Sequence, residues 1–234
     1  MRRFAADLIL VLAFFSSCTL AQDQRYSISL SGTYTSSSKL YFAPNNPDDF
    51  IRSRNYPIEN IFGFGMDVRR SFEDLGVWAG IGVEWLSKTE AIEQPVNSTT
   101  TAPIYDGYAV VPVELTGYFI VPFSSEAVQL YMGGGAGAYL GERRYQQAGV
   151  NAAVTARSAG FGIHVLSGLQ YNFQSSLSLR CEAKFRNVQF RSTNAFDRPV
   201  GFAAGHSVRL DQTPFESRIS IDGMVTSLGL VYRF

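Results

Sequence analysis

The sequence predicts an all-β chain: an eight-stranded antiparallel up-and-down transmembrane β-barrel with short periplasmic turns and long extracellular loops. Three observations predict it. Apolar and small or polar residues alternate with a period of two over about eight segments, which gives each segment two faces in different environments. The connections between these segments alternate long and short from first to last, which a barrel in an outer membrane requires and a soluble sandwich does not. The chain of 234 residues also holds Gly 21, Tyr 12 and Phe 18, spread over many short stretches as in β proteins.

The N-terminus precedes the barrel. Arg2 and Arg3, an apolar run from Leu8 to Phe15 and then Thr19-Leu20-Ala21 have the three-part layout of a secretory signal peptide over 1–21, cleaved after about Ala21. The run is too short for the roughly 20 residues of a spanning helix. Ser17-Cys18 is a poor lipoprotein site, because Phe15 stands where such a site has leucine. Cleavage at Ala21 leaves Cys181 as the single cysteine of a 22–234 barrel, so no internal disulfide is expected.

The first strand places Tyr26, Ile28, Leu30 and Tyr34 on one face and Ser27, Ser29, Ser31, Thr33 and Thr35 on the other. Small hydroxyls on the second face suit a narrow, packed polar interior. A polar stretch over about 36–60 follows as the first long loop, and its Tyr41, Phe42, Phe50, Arg52, Arg54 and Tyr56 are expected to form a binding surface. The second strand sets Phe62, Phe64, Met66 and Val68 against Gly63, Gly65, Asp67 and Arg69, and a short turn over 71–74 closes it. The third sets Ile81, Val83 and Trp85 against Trp78, Gly80, Gly82 and Glu84, then enters a second loop over about 87–107. The fourth has Val111, Val113, Leu115 and Phe119 opposite Pro112, Glu114, Thr116 and Tyr118, before a turn at Pro122-Phe123-Ser124-Ser125.

The fifth strand, about 128–140, carries Gly133-Gly134-Gly135-Ala136-Gly137. With no Lys-Ser/Thr after it, this run is read as barrel curvature and close packing, not as a phosphate loop. After a third loop over about 141–158, Phe161, Ile163, Val165, Leu169 and Tyr171 alternate with Gly160, Gly162, His164, Gly168 and Gln170. Leu177, Leu179, Cys181, Ala183 and Phe185 then oppose Ser178, Arg180, Glu182, Lys184 and Arg186. A fourth loop over about 191–214 leads to the last strand, 220–234, with Met224, Thr226, Leu228, Leu230, Tyr232 and Phe234 on its lipid row.

This layout resembles the small eight-stranded bacterial outer-membrane barrels of the OmpA-like and OmpX-like group. The terminal Leu228, Leu230, Tyr232 and Phe234 look like the signal such proteins present to the barrel-assembly machinery. The resemblance implies Gram-negative outer-membrane localisation, contact with outer-membrane lipid and the assembly machinery as a partner during biogenesis. It covers about 22–234, and the peptidoglycan-binding domain of the OmpA type is not expected here.

Charge limits the function. Twenty basic and twenty acidic residues give a formal net charge of zero, so no basic excess points to nucleic acid. The interior ladder Arg180, Glu182, Lys184, Arg186 shares a lumen with Asp67, Glu84 and Glu114, and an ion-paired plug is expected, with Glu114 facing Arg180 or Lys184. His164 has Ser167 on the opposite face of its strand, and His206-Ser207 falls in a loop, so no catalytic residues are assigned. No cofactor or metal spacing is present. The expected role is a monomeric, non-enzymatic envelope-structural or surface-binding protein, its extracellular ligand of unspecified kind. The alternative is a narrow pore or an OmpW-like conduit for small hydrophobic solutes, followed by a lipid-modifying enzyme.

Overall fold

A computed structural model describes residues 25–72, 75–95, 101–203 and 205–234. Residues 1–21, expected as a signal peptide and including Cys18, and Glu73-Asp74 of the expected first short turn lie outside the described residues. Eight staves close into one ring of antiparallel ladders. They are β1 (Tyr26–Tyr41), β2 (Asn55–Phe72), β3 (Val77–Pro95), β4 (Thr101–Ile120), β5 (Val128–Gln147), the pair β6 (Val150–Ser158) and β7 (Gly160–Asn172), then β8 (Leu177–Phe196). A small hairpin of β9 (Val200–Ala203) and β10 (His206–Arg209) precedes the eighth stave, β11 (Phe215–Ile221) with β12 (Met224–Arg233). Closure runs from β12 to β1 with Leu230 opposite Leu30, and from β11 to β1 with Ile219 opposite Leu40. Closure removes the unpaired edges that a membrane-spanning sheet cannot leave in lipid.

The period of two sets the two faces. Leu30, Phe64, Ile81, Leu115, Ile163, Phe185 and Leu228 are exposed on the outer wall, whereas Ser29, Thr33, Glu84, Glu114, Thr116, Arg180 and Arg186 are buried inside. An apolar exterior around a polar interior inverts the usual soluble arrangement and is stable only with lipid outside. Cys181 lies on the exposed face. No helix among the described residues is long and apolar enough to cross a membrane.

The long connections differ from expectation. Most of 87–107, 141–158 and 191–214 and about half of 36–60 is strand, not loop, because the ladders continue past the membrane. β3 and β4 run 19 and 20 residues, where a spanning strand needs about 9–11, so each carries roughly 30 Å of strand length beyond what the hydrocarbon requires. Their polar composition reflects water on the outer face, not a lack of regular structure. The third excursion ends in a two-residue turn, Ala148-Gly149, with φ of 49° and 74°; positive φ at both positions matches the right-handed strand twist. The last strand is also not continuous. It breaks at Asp222-Gly223 into β11 and β12, and a side chain at Gly223 would strike the Ser37 carbonyl.

The glycine run lies in mid-β5. A Cβ at Gly135 would collide with the Leu115 carbonyl, and one at Gly137 with Glu114. These glycines let β5 pass close to β4 and leave interior volume for the large polar side chains of its neighbours.

Candidate functional site

Alternation along β2, β3, β4 and β8 directs charged side chains into the barrel interior. Asp67, Glu84, Glu114, Arg180, Glu182, Lys184 and Arg186 all point inward, and Arg69 joins them. Lys184 Nζ lies 2.5 Å from Glu84 Oε1 and 2.6 Å from Glu114 Oε2. Arg186 Nη2 donates to the other Glu84 oxygen at 2.7 Å. Nearer the short turns, Arg69 bridges Asp67 at 2.7 Å and Glu182 at 2.6 Å, and Arg180 Nη1 reaches Asp67 at 3.0 Å. Arg180 thus pairs with Asp67, while Glu114 pairs with Lys184. Four cations face four carboxylates, so the layer is charge-balanced, as ions withdrawn from water must be.

Neutral donors complete the carboxylates. Tyr131 donates to Glu182 at 2.6 Å, Tyr139 donates to Glu114 and Ser29 donates to Asp67. The Arg69 guanidinium stacks on Tyr118 at 4.0 Å, and Tyr118 meets Tyr131 edge-on. Sequence reasoning placed Arg69 on the inner face without assigning it a partner. Tyr131 and Tyr139 were legible only by extending the inner parity of the glycine run in both directions.

His164 holds the one arrangement with a catalytic outline among the described residues. Its Nε2 shares a 2.9 Å hydrogen bond with Thr116 Oγ1, and Nδ1 lies 3.9 Å from Glu114. A nucleophile, base and acid in that order form a triad only if substrate and an oxyanion donor can reach the hydroxyl. His164 and Thr116 are 2% and 5% exposed, which closes the hydroxyl to any ester. His206 sits apart in the β9–β10 hairpin. Among the described residues no group of three His, Cys, Asp or Glu side chains is placed to hold a metal ion.

Above the charged layer the interior departs from the polar expectation. Leu40, Ile58, Ile61, Leu86, Tyr108, Tyr139, Phe190, Ile219 and Ile221 form a buried apolar core across the barrel. Further out Arg143 grips Asp106 through Nε at 2.8 Å and Nη2 at 2.5 Å, and donates to Ser217 at 2.7 Å. A second cluster, Val150, Ala152, Phe196 and Leu210, packs around Tyr145 and Phe215 at the extracellular end. Asp106, Arg143, Val150, Ala152, Phe196 and Leu210 fall in stretches expected as loops, so their inward parity was not followed. Tyr56, expected on a binding surface, packs against the apolar core and donates to Glu90 at 2.9 Å. That bond raises its hydroxyl pKa above the ordinary tyrosine value. Phe42 and Phe50 remain exposed, Phe50 on the short helix α1 (Asp49–Ser53), which Asp48 caps.

Cavities follow this layering. A vestibule of about 310 Å³ at the short-turn end is lined by Arg69, Trp78, Gln129, Gln170 and Arg180. Within the ion-paired layer only about 40 Å³ remains.

No protein-family model matches the chain, and no curated protein sequence matches it. Solved structures do. The outer membrane protein OprG from Pseudomonas aeruginosa superposes with a TM-score of 0.58 at 12% identity, over 90% of this chain and 96% of that one. A major outer membrane protein from Thermus thermophilus gives 0.53 at 12% identity, over 89% and 99%. At such identities the likeness is one of fold: the chain has the architecture of small outer-membrane β-barrels.

Proposed function

We propose that this chain is a monomeric outer-membrane barrel with a sealed lumen, which displays a rigid binding platform on the cell surface and carries no catalysis of its own. The observation that carries this reading is the stacking of a charge-balanced layer beneath a continuous apolar core. A hydrated ion passing the Lys184 level would have to separate paired charges and then cross Leu40, Phe190 and Ile219 without water. The extracellular ladders suit display. They are held by the Arg143–Asp106 pair and end in exposed Phe50, Val200 and Phe202. The platform's ligand is taken to be extracellular, and Leu228, Leu230, Tyr232 and Phe234 are read as the segment handed to the assembly machinery.

Orientation and sealing are tested together. Phe50→Cys should react with a membrane-impermeant maleimide on intact cells, and Ser175→Cys only after permeabilisation, against the unaltered protein with its lipid-facing Cys181 as background. Labelling in the opposite order would reject the topology. In planar bilayers the unaltered protein should be silent, and steady conductance would favour the narrow-pore alternative.

A further inference from the structure

We infer that the outer wall carries a docking site for a phosphorylated, acylated sugar lipid at the seam between β5 and β6. The ladder is interrupted there. β5 pairs with β7 as far as Tyr139 opposite Gly160, and with β6 only from Tyr145 opposite Ala152. Residues 140–144 and 153–159 face each other unpaired, while β6 stays paired with β8 on its other side from Ala152 to Ser158.

The separation opens two adjoining cavities that share Glu142 and Arg157. The lower, about 410 Å³, has a mainly apolar floor of Trp85, Val111, Leu140 and Ala159. It lies at the upper edge of the lipid-facing rows, where Val111 is paired with Leu140. The upper, about 620 Å³, is lined by Thr89, Tyr105, Gln146 and Asn151, a set of hydroxyl and amide groups. From inside, the Phe190 ring packs against Gly141 and backs the lower cavity, whereas the upper cavity reaches through the seam to the inward-facing Arg143, Tyr145 and Ala152.

Charge selects the headgroup. Arg144 and Arg157 are 46% and 64% exposed and share the single carboxylate of Glu142; Arg144 Nη1 also donates to Ser87 at 3.1 Å. Two guanidiniums against one carboxylate leave one positive charge at the apolar–polar boundary. Planar guanidinium donors match phosphate oxygens better than they match water. An acyl chain fits the lower cavity, a phosphate the two arginines and a sugar the upper hydroxyl- and amide-lined space.

This inference rests on the lipid-facing assignment above but not on the binding platform or on cellular localisation, because it is tested on purified protein in nanodiscs. The chain has two tryptophans, so Trp78→Phe leaves Trp85 as a reporter in the site. Its emission is followed in phosphatidylcholine nanodiscs as lipid A, dephosphorylated lipid A or phosphatidylglycerol is added. Lipid A should reach its midpoint at the lowest mole fraction. Arg144→Gln and Arg157→Gln should each weaken it about fivefold, the scale of one basic residue at a charged lipid surface. Neither substitution should alter the response to dephosphorylated lipid A. Equal midpoints for the three lipids, or a double variant that binds lipid A unchanged, would overturn the site. If Trp78→Phe does not fold, native mass spectrometry of lipid A retained by the otherwise unaltered protein, with and without the two arginine substitutions, reads the same difference.

Discussion

Replacing Lys184 by methionine should destabilise the barrel by about 3–5 kcal/mol, the cost of removing one partner from a buried ion pair. The ammonium serves two carboxylates at once, Glu84 at 2.5 Å and Glu114 at 2.6 Å. Without it three cations would face four carboxylates. Glu84 keeps Arg186 at 2.7 Å, but Glu114 is left with the Tyr139 hydroxyl and a guanidinium nitrogen at 3.7 Å. Glu114 is therefore the group that becomes short of positive charge. Reversible urea unfolding in phospholipid vesicles measures the effect: with a slope of about 2 kcal/mol/M, the midpoint should fall by roughly 2 M. Adding Glu114→Gln to Lys184→Met removes the surplus carboxylate and should restore more than half of the loss, a coupling read from the double-mutant cycle. Strictly additive effects, or a Lys184→Met midpoint unchanged within error, would refute the claim that charge balance holds the lumen together.

Further expectations concern other layers. Phe190→Ala empties the middle of the apolar core and should cost about 3–5 kcal/mol in the same unfolding assay; full retention of stability would mean the core collapses around the gap. Gly141→Leu inserts volume where the Phe190 ring already lies, and overpacking of this kind should cost about 1–3 kcal/mol. Arg143→Met leaves Asp106 buried without its cation, so amide exchange should quicken in residues 101–110 and 141–147 while the Leu179 to Phe185 segment stays protected; uniform loss of protection would show that the two polar layers unfold as one. Deleting Phe234 should reduce insertion into the outer membrane and leave export intact, and normal insertion would remove the terminal residues from the assembly role.

How much was legible follows from what each feature depends on. The lipid row Phe62, Phe64, Met66 and Val68 and the inner row through Asp67 and Arg69 could be read off β2, because strand side chains alternate whatever the neighbours are. The inward parity of Arg180 to Arg186 was equally local. The pairing was not. Arg180 meets Asp67 and Lys184 meets Glu114 because of the order and stagger of eight staves, which no single strand encodes. The apolar core was missed for a related reason: Leu40, Tyr108 and Phe190 stand among polar residues, and only burial by distant strands distinguishes their face from a loop.

The sequence by itself determined the class of fold, the two faces of each strand within the bilayer and the sign of every interior charge, since these depend on residue type and a period of two. Only the tertiary structure decided which charges meet, that an apolar layer lies above them, and that the long excursions are ladders with a seam between β5 and β6. Those features arise when closure brings together residues far apart in the chain, such as Lys39 and Asp222, 183 positions apart, and the energy of such contacts is absent until the ring is complete.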